Sequence, residues 1–358
     1  MVSIDTRLQG QQLRLRGSMI KFTGSPSNEI EICGSNGRSL PFKLNRQLIK
    51  ILEDLEIPAS VFEELQQNAV DMLRSSAKSK TNAIDFLKSS LSDSATGLPA
   101  LLKTLTSIEI DVTEDAFLRD IMGAMLQIQL REIKYRSRIL VPHGATLYGI
   151  CDETDFLRER QVYVNYTDSK TGDGYMLKGL VAVTRSPALH PGDLQVVQAL
   201  EPPVNSPLRS LHNCIVFSSQ GQRDVPSMLS GGDLDGDLFN VIYDPDLIPT
   251  RTYAPAAYTP AKPIDIGRAV NVDDMTAFFV DFMQNDQLGR IATLHQVFAD
   301  DSLQGTLSPE CLLLAELHST AVDFSKTGVK VSGLPPNILT RLTLVPGRCL
   351  SNPKSATS

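Results

Sequence analysis

The chain has 358 residues, with 34 Lys and Arg against 41 Asp and Glu, a formal net charge of −7 and 42% hydrophobic residues. That length buries a sizeable core and divides into two or three subdomains, and the charge argues against a simple basic nucleic-acid coat protein. Cys33, Cys151, Cys214, Cys311 and Cys349 are odd in number, widely spaced and free of any C-x-x-C pair, which excludes a zinc knuckle or a disulfide framework.

With no N-terminal signal and no long apolar run, the expectation is a soluble, intracellular chain, nuclear or cytoplasmic, without a membrane segment. The predicted elements begin with a β-rich opening over residues 13–42 that gives way to helical patterns. Leu48, Ile49, Leu52 and Leu55 share one helix face, and Pro58 is placed to open the next helix, with Val61, Phe62, Leu65, Ala69 and Met72 inside. Residues 75–96 are serine-rich and read as a mobile connection. A long helix is expected over 114–136, with Thr113 as cap, Glu114 and Asp115 at its positive end, and Phe117, Ile121, Met125 and Ile128 turned to the core. Short β-rich runs follow at 138–141, 161–164, 180–183, 195–197, 214–217 and 238–242, separated by Gly, Asp or Pro; such spacing suggests a closed sheet. Residues 253–263 read as a Pro/Ala/Tyr linker. Helices then follow, with Phe278, Phe279, Phe282 and Met283 as one buried face and Ser308-Pro309-Glu310 as a helix start. The domains expected are 1–137 (β-rich opening plus helices), 138–245 (barrel), 265–345 (helices) and a polar tail, 346–358.

The most informative segment is Ser230-Gly231-Gly232-Asp233-Leu234-Asp235-Gly236-Asp237. Ionised carboxylates are hard oxygen ligands of the kind Mg²⁺ and Mn²⁺ prefer, and three so close together repel one another without a cation. On an extended segment, alternate side chains share a face, so Asp233, Asp235 and Asp237 can converge. Gly236 permits a sharp turn toward the same ion, Gly231 and Gly232 leave room for a bulky substrate, and Leu234 points away into the core. A solvated Asp/Gly turn is the plainer reading, but three acids in five residues between two apolar runs favour a metal site whose productive chemistry is phosphoryl transfer. An EF-hand fails, because its sixth loop position is Leu238 in place of Gly and its twelfth is Asp244 in place of Glu. Ser75-Ser76-Ala77-Lys78 with Lys326-Thr327-Gly328 imitates penicillin-recognising enzymes, yet no S-D-N follows. The five histidines lack ligand spacing; His295 and His318 read as helix-face residues of a core or groove. Basic clusters within residues 1–50 and at Arg131, Lys134, Arg136 and Arg138 read either as solvated faces or as contacts for a phosphate backbone.

The octapeptide resembles the catalytic signature of the eukaryotic, RNA-silencing type of RNA-dependent RNA polymerase, and a related signature marks the largest subunit of cellular multi-subunit RNA polymerases. The likeness extends to Val183-Thr184-Arg185-Ser186-Pro187-Ala188-Leu189-His190-Pro191-Gly192-Asp193, to Val216-Phe217 and Gln220-Gly221-Gln222-Arg223, although Ser218 and Ser219 stand where a proline is usual. It continues in Asn285 to Ala292 and in Ala321-Val322-Asp323-Phe324-Ser325-Lys326-Thr327-Gly328, and near the start in Leu13-Arg14-Leu15-Arg16, Ser18 to Phe22 and Leu44 to Leu48.

The resemblance implies an α+β chain whose double-psi β-barrel, the second of two facing catalytic barrels, is flanked by helical subdomains. It implies RNA-directed RNA polymerase activity that makes double-stranded RNA for small-RNA silencing. Asp233, Asp235 and Asp237 would hold Mg²⁺, with Mn²⁺ as the alternative. The implied partners are template RNA, the nascent strand and nucleoside triphosphates. Arg185, Lys178, Arg223, Lys326 and His190 are the candidates for nucleotide or RNA contact. Because the family's first barrel precedes the segment matched here, the chain is expected to be a truncated copy, a gene-model fragment or half of a split polymerase. The missing wall would then come from another polypeptide or a second copy. The alternative is an inactive module that binds RNA or such a partner.

Overall fold

In the computed structural model, which describes residues 1–20, 23–24, 26–27, 29–37, 39–76, 104, 115–168, 172–258 and 262–331, the short apolar runs are strands of one sheet. The strands are β1 (Leu40–Lys43), β2 (Leu140–Cys151), β3 (Gln161–Thr167), β4 (Gly174–Met176), β5 (Gly179–Arg185), β6 (Leu194–Ala199), β7 (Cys214–Phe217) and β8 (Leu238–Ile242). They run in the order β1-β2-β7-β3-β6-β5-β8, with β4 on β3, and β8 pairs again with β2. Six strands, from β2 round to β8, therefore close into a ring. The β2–β7 and β3–β6 pairs are parallel and the other ring pairs antiparallel.

The two-residue period sorts side chains between the inside and the outside of this ring. Ala145, Leu147, Val162, Val164, Val181, Val183, Val197, Ile215, Phe217, Phe239 and Val241 form one cluster. Their neighbours of opposite parity, Ala182, Leu194 and Ile242, join a second cluster built on Phe42, Leu44 and helix α1 (Arg46–Asp54). A third gathers Tyr163, Cys214 and Val216 with Leu157 and Leu208. Burial on both faces is why the strands read as nearly continuous apolar runs.

Asn45 caps α1 by accepting the Leu48 N–H at 2.9 Å, and Leu48, Ile51 and Leu52 are its buried face. Helix α2 (Ala59–Ser76) buries Phe62, Ala69 and Leu73, whereas Met72, expected inside, is exposed. The β-rich opening is corrected: among the described residues of 13–42 the only strand is β1, and Leu13 and Leu15 are exposed with no neighbouring strand to pair with. The long helix exists as α3 (Ala116–Arg136), but Phe117 is 63% exposed and Ile128 is also exposed. The helix packs instead through Met122 and Ile133. Met122 lies five positions beyond Phe117, about 140° round the cylinder. Thr113, Glu114, most of the serine-rich stretch and the polar tail lie outside the described residues.

The chain divides into two units, Met1–Tyr258 and Thr259–Ser358. The first holds the strand ring together with α1, α2 and α3. The second holds α5 (Val272–Asn285), α6 (Leu288–Asp301), α7 (Pro309–Val322) and the one-turn α8 (Phe324–Thr327), while α4 (Val225–Met228) belongs to the first. Ser308 caps α7 as expected. The core of the second unit is Ile291, Leu294, Phe298, Ala299, Cys311 and Leu314. The expected buried face of α5 is corrected: Phe278, Phe279 and Met283 are exposed, and only the Phe278 and Phe282 rings find a partner, Phe324, at 5.9 and 5.5 Å. His295 and His318 are buried on α6 and α7. Among the described residues no helix is long and apolar enough to cross a membrane.

Candidate active site

The aspartate loop joins α4, capped by Asp224 through the Ser227 N–H at 2.8 Å, to β8. It is not the extended segment that alternation suggested. Ser230, Gly231, Leu234 and Gly236 have φ of +50°, +68°, +58° and +144°, so the chain curls through the left-handed region, which only Gly enters freely. The curl, not a pleat, brings the carboxylates together: one oxygen from each of Asp233, Asp235 and Asp237 lies within 4.8 Å of the others. Leu234 is half-buried and packs against the Phe239 cluster.

Strand β5 lies antiparallel to β8 with Arg185 opposite Phe239, which carries the guanidinium alongside Asp237. Arg185 grips both Asp237 oxygens, Nε to Oδ2 and Nη2 to Oδ1, each at 2.8 Å, and Nη1 donates to the Ser230 carbonyl at 3.2 Å. Bidentate pairs of this kind are the strong ones, and this one is shielded, with the side chains 21% and 14% exposed. The Asp233 N–H donates to Asp237 Oδ2 at 3.2 Å, and the Gly149 N–H donates to the Asp237 carbonyl at 3.2 Å. Asp237 is thus matched within the protein, while Asp233 and Asp235 are exposed. Those two line a cleft of about 840 Å³ whose other walls include Gln220, Gln222, Arg223 and, from the N-terminal arm, Arg16.

Two of the loop glycines also face atoms of the chain itself. Gly232 is buried, and a Cβ there would stand 3.0 Å from the Pro226 carbonyl oxygen, 3.1 Å from Arg185 Cδ and 3.2 Å from Phe239 Cζ. Its clearance therefore serves the chain's own Arg185 and Phe239. A Cβ on Gly231 would lie 3.5 Å from Tyr258 Cβ.

Of the candidate nucleotide contacts, the structure brings Arg185 to the loop and Arg223 to the cleft wall. Arg223 Nη2 is engaged with the Ser227 and Ala256 carbonyls, both at 2.8 Å. Lys178 is placed apart from the loop. It precedes β5, roughly 23 Å along the strand from Arg185 at about 3.3 Å per residue, and is ion-paired with Glu201. His190 is a capping residue, accepting the Gly192 N–H on Nδ1 at 2.9 Å, and burial pulls its pKa down. Lys326 lies in the second unit, in α8.

Two contributors, Asp193 and Tyr258, were given no role by sequence reasoning. Asp193 is almost wholly buried, at 1% exposure, and burial pushes its carboxyl upward against the opposing pull of its hydrogen-bond donors. It accepts from Ser230 N–H at 3.2 Å and from the Tyr258 hydroxyl at 2.6 Å on Oδ1, and from Leu189 and His190 N–H on Oδ2. Burial and the neighbouring Asp193 push the Tyr258 phenol upward. The signal for Asp193 was present in the L-H-P-G-D run and that for Ser230 in the octapeptide; Tyr258 carried none.

The donor set fits a divalent cation: three hard carboxylates converge, two of them open to the cleft. The description RNA dependent RNA polymerase belongs to a family model that matches residues 1–347. The chain belongs to this family. Among its relatives, a probable RNA-dependent RNA polymerase 1 of Oryza sativa subsp. japonica is 36% identical over 329 residues, covering 91% of this chain and 43% of the relative. RNA-dependent RNA polymerase 1 of Arabidopsis thaliana is 34% identical over 335 residues, covering 92% and 29%. RNA-dependent RNA polymerase 1 of Schizosaccharomyces pombe is 34% identical over 311 residues, covering 80% and 25%. The chain thus spans less than half the length of these relatives. The solved RNA dependent RNA polymerase QDE-1 from Thielavia terrestris superposes with a TM-score of 0.62 at 22% identity, over 88% of this chain and 38% of that one. That likeness establishes the polymerase fold, a mixed α+β arrangement built on the strand ring.

Proposed function

We propose that this chain carries the metal-binding barrel of an RNA-directed RNA polymerase, a nucleotidyltransferase that copies RNA into double-stranded RNA for small-RNA silencing. The observation that carries this reading is the convergence of Asp233, Asp235 and Asp237 beside an open cleft, in a chain of this family. In this reading residues 138–245 form a double-psi β-barrel between a region at 1–137 and helices at 265–345. The closed ring with two parallel pairings supports that assignment.

Asp233 and Asp235 present their carboxylates to the cleft, and Asp237 completes the set from its pairing with Arg185. Mg²⁺ is the ion this set suits best, with Mn²⁺ as the alternative. A bound divalent ion supplies the Lewis acidity that activates a 3′-hydroxyl and offsets charge during in-line displacement of pyrophosphate. Arg185 holds Asp237 and the Ser230 carbonyl, and so the loop, in place. Arg16 and Arg223 on the cleft walls are assigned to phosphates of nucleoside triphosphate, template and nascent strand; Lys326, within the second unit, is a separate candidate for RNA contact. Base pairing selects the nucleotide, so these side chains need only follow the backbone. A polypeptide carrying the facing barrel, or a second copy of the chain, is the protein partner in this reading, and the location is intracellular, nuclear or cytoplasmic. The second reading is an inactive module that binds RNA or that partner.

The test is RNA-templated nucleotide incorporation by the 358-residue chain with Mg²⁺ or Mn²⁺, beside Asp235→Ala. Incorporation that the substitution abolishes, with unfolding unchanged, is the expected result. Incorporation that survives Asp235→Ala overturns the site assignment. A folded chain that binds the metal and incorporates nothing leaves the second reading.

A further inference from the structure

The aspartate loop leaves α4 through a strained residue. Ser230 is a non-glycine at φ +50°, a conformation that persists only where the surroundings over-determine it. Here the peptide groups on both sides of Ser230 are clamped by charged side chains. Its N–H is held by Asp193 Oδ1 at 3.2 Å and its carbonyl by Arg185 Nη1 at 3.2 Å. Arg185 also holds Asp237, so one end of the loop depends on Asp193 and both ends on Arg185.

Asp193 is itself fixed on every side. A carboxylate has about four acceptor positions, and four donors meet this one: Ser230 N–H, the Tyr258 hydroxyl, Leu189 N–H and His190 N–H. Two of the donors come from the turn that carries Asp193. The Tyr258 hydroxyl comes from a distant strap, residues 253–258, with no regular secondary structure. The strap is tied down by Gln195 Nε2 on the Tyr253 carbonyl at 3.2 Å and by Arg223 Nη2 on the Ala256 carbonyl at 2.8 Å. It passes so near Gly192 that a Cβ there would stand 2.2 Å from the Ala254 carbonyl oxygen.

We propose that Asp193 and Tyr258 are positioning residues for the metal site: the Tyr258–Asp193–Ser230 chain of hydrogen bonds sets the take-off of the aspartate loop and with it the convergence of Asp233, Asp235 and Asp237. The inference rests on the metal-site reading and extends it to two side chains that touch neither metal nor substrate. Outer-shell partners that orient a ligand set are commonly worth about 10–100-fold in metal affinity.

The experiment is Mn²⁺ titration of the 358-residue chain, followed by the electron-paramagnetic-resonance signal of free Mn²⁺, for wild type, Tyr258→Phe and Asp193→Asn, with thermal unfolding alongside. Tyr258→Phe removes only the hydroxyl and keeps the ring, so it is the deciding variant. It is expected to bind Mn²⁺ about tenfold more weakly while unfolding close to wild type. Asp193→Asn is expected to bind more weakly still, because its amide places donors where donors already point. Wild-type affinity in Tyr258→Phe overturns the inference and leaves the metal site standing. A wild-type chain that binds no Mn²⁺ overturns the metal-site reading and this inference together.

Discussion

Arg185 shows how one side chain can serve two ends of a loop. It pairs with Asp237 at 2.8 Å through two nitrogens and caps the Ser230 carbonyl. Replacement by Leu leaves a 14%-exposed carboxylate without its cation, and losing a charged partner in that setting costs roughly 1–3 kcal/mol. Arg185→Leu is therefore expected to lower the urea midpoint of the chain, whereas the same change at the exposed Arg74 is expected to leave it unchanged; equal midpoints for both would count against the pairing. At this scale the residue types of the site were legible in the sequence. Three carboxylates in five positions offer hard oxygen donors whatever the backbone does. Their geometry was not, because the alternation rule assumes an extended chain and four of the eight loop residues sit at positive φ. The role of Gly232 was hidden for a related reason: the atoms it makes room for, from Arg185 and Phe239, are distant in sequence.

Strands were easier to read than helix faces. All six runs between residues 138 and 242 became ring strands, since a short β-branched run between turn residues has few other ways to bury itself. A helix with apolar residues on more than one side leaves its orientation to whatever packs beside it. In α3 the choice fell on Met122 and Ile133, and in α5 on the edge that meets Phe324. The strap at 253–258 has no periodicity at all, and its linker-like composition concealed that it seals the loop. Its closeness to Gly192 gives a direct check. Gly192→Ala pushes a methyl group into the Ala254 carbonyl, and backbone cannot yield as a side-chain tip does. Overpacking of this kind costs about 1–3 kcal/mol. The substituted chain is expected to be cut by protease within the strap under conditions where the wild type resists; equal resistance would show that the strap is held elsewhere.

At the scale of the whole molecule, acid is expected to weaken the chain through its helical unit. Burial holds His318 neutral, with its pKa lowered to about 4 from the ordinary 6.5. A histidine depressed in the folded state contributes its stability fully above the unfolded value, and loses it as pH falls from about 6.5 through about 4. The span amounts to roughly 3 kcal/mol for a group this buried. His318→Leu is expected to flatten the fall in unfolding midpoint between about pH 7 and about pH 4.5, and an unchanged slope would remove His318 as the cause. What the sequence by itself determined is the family, the cluster of hard carboxylate donors at Asp233, Asp235 and Asp237 and the run of short strands, because each is written in residue types close together in the chain. Only the tertiary structure decided that β8 returns to β2 to close the ring, that Arg185 faces Asp237, and that Asp193 and Tyr258 hold the loop from 37 and 28 residues away. Those are encounters between distant segments, set by strand register and by the need of buried polar groups for partners, and no local pattern encodes them.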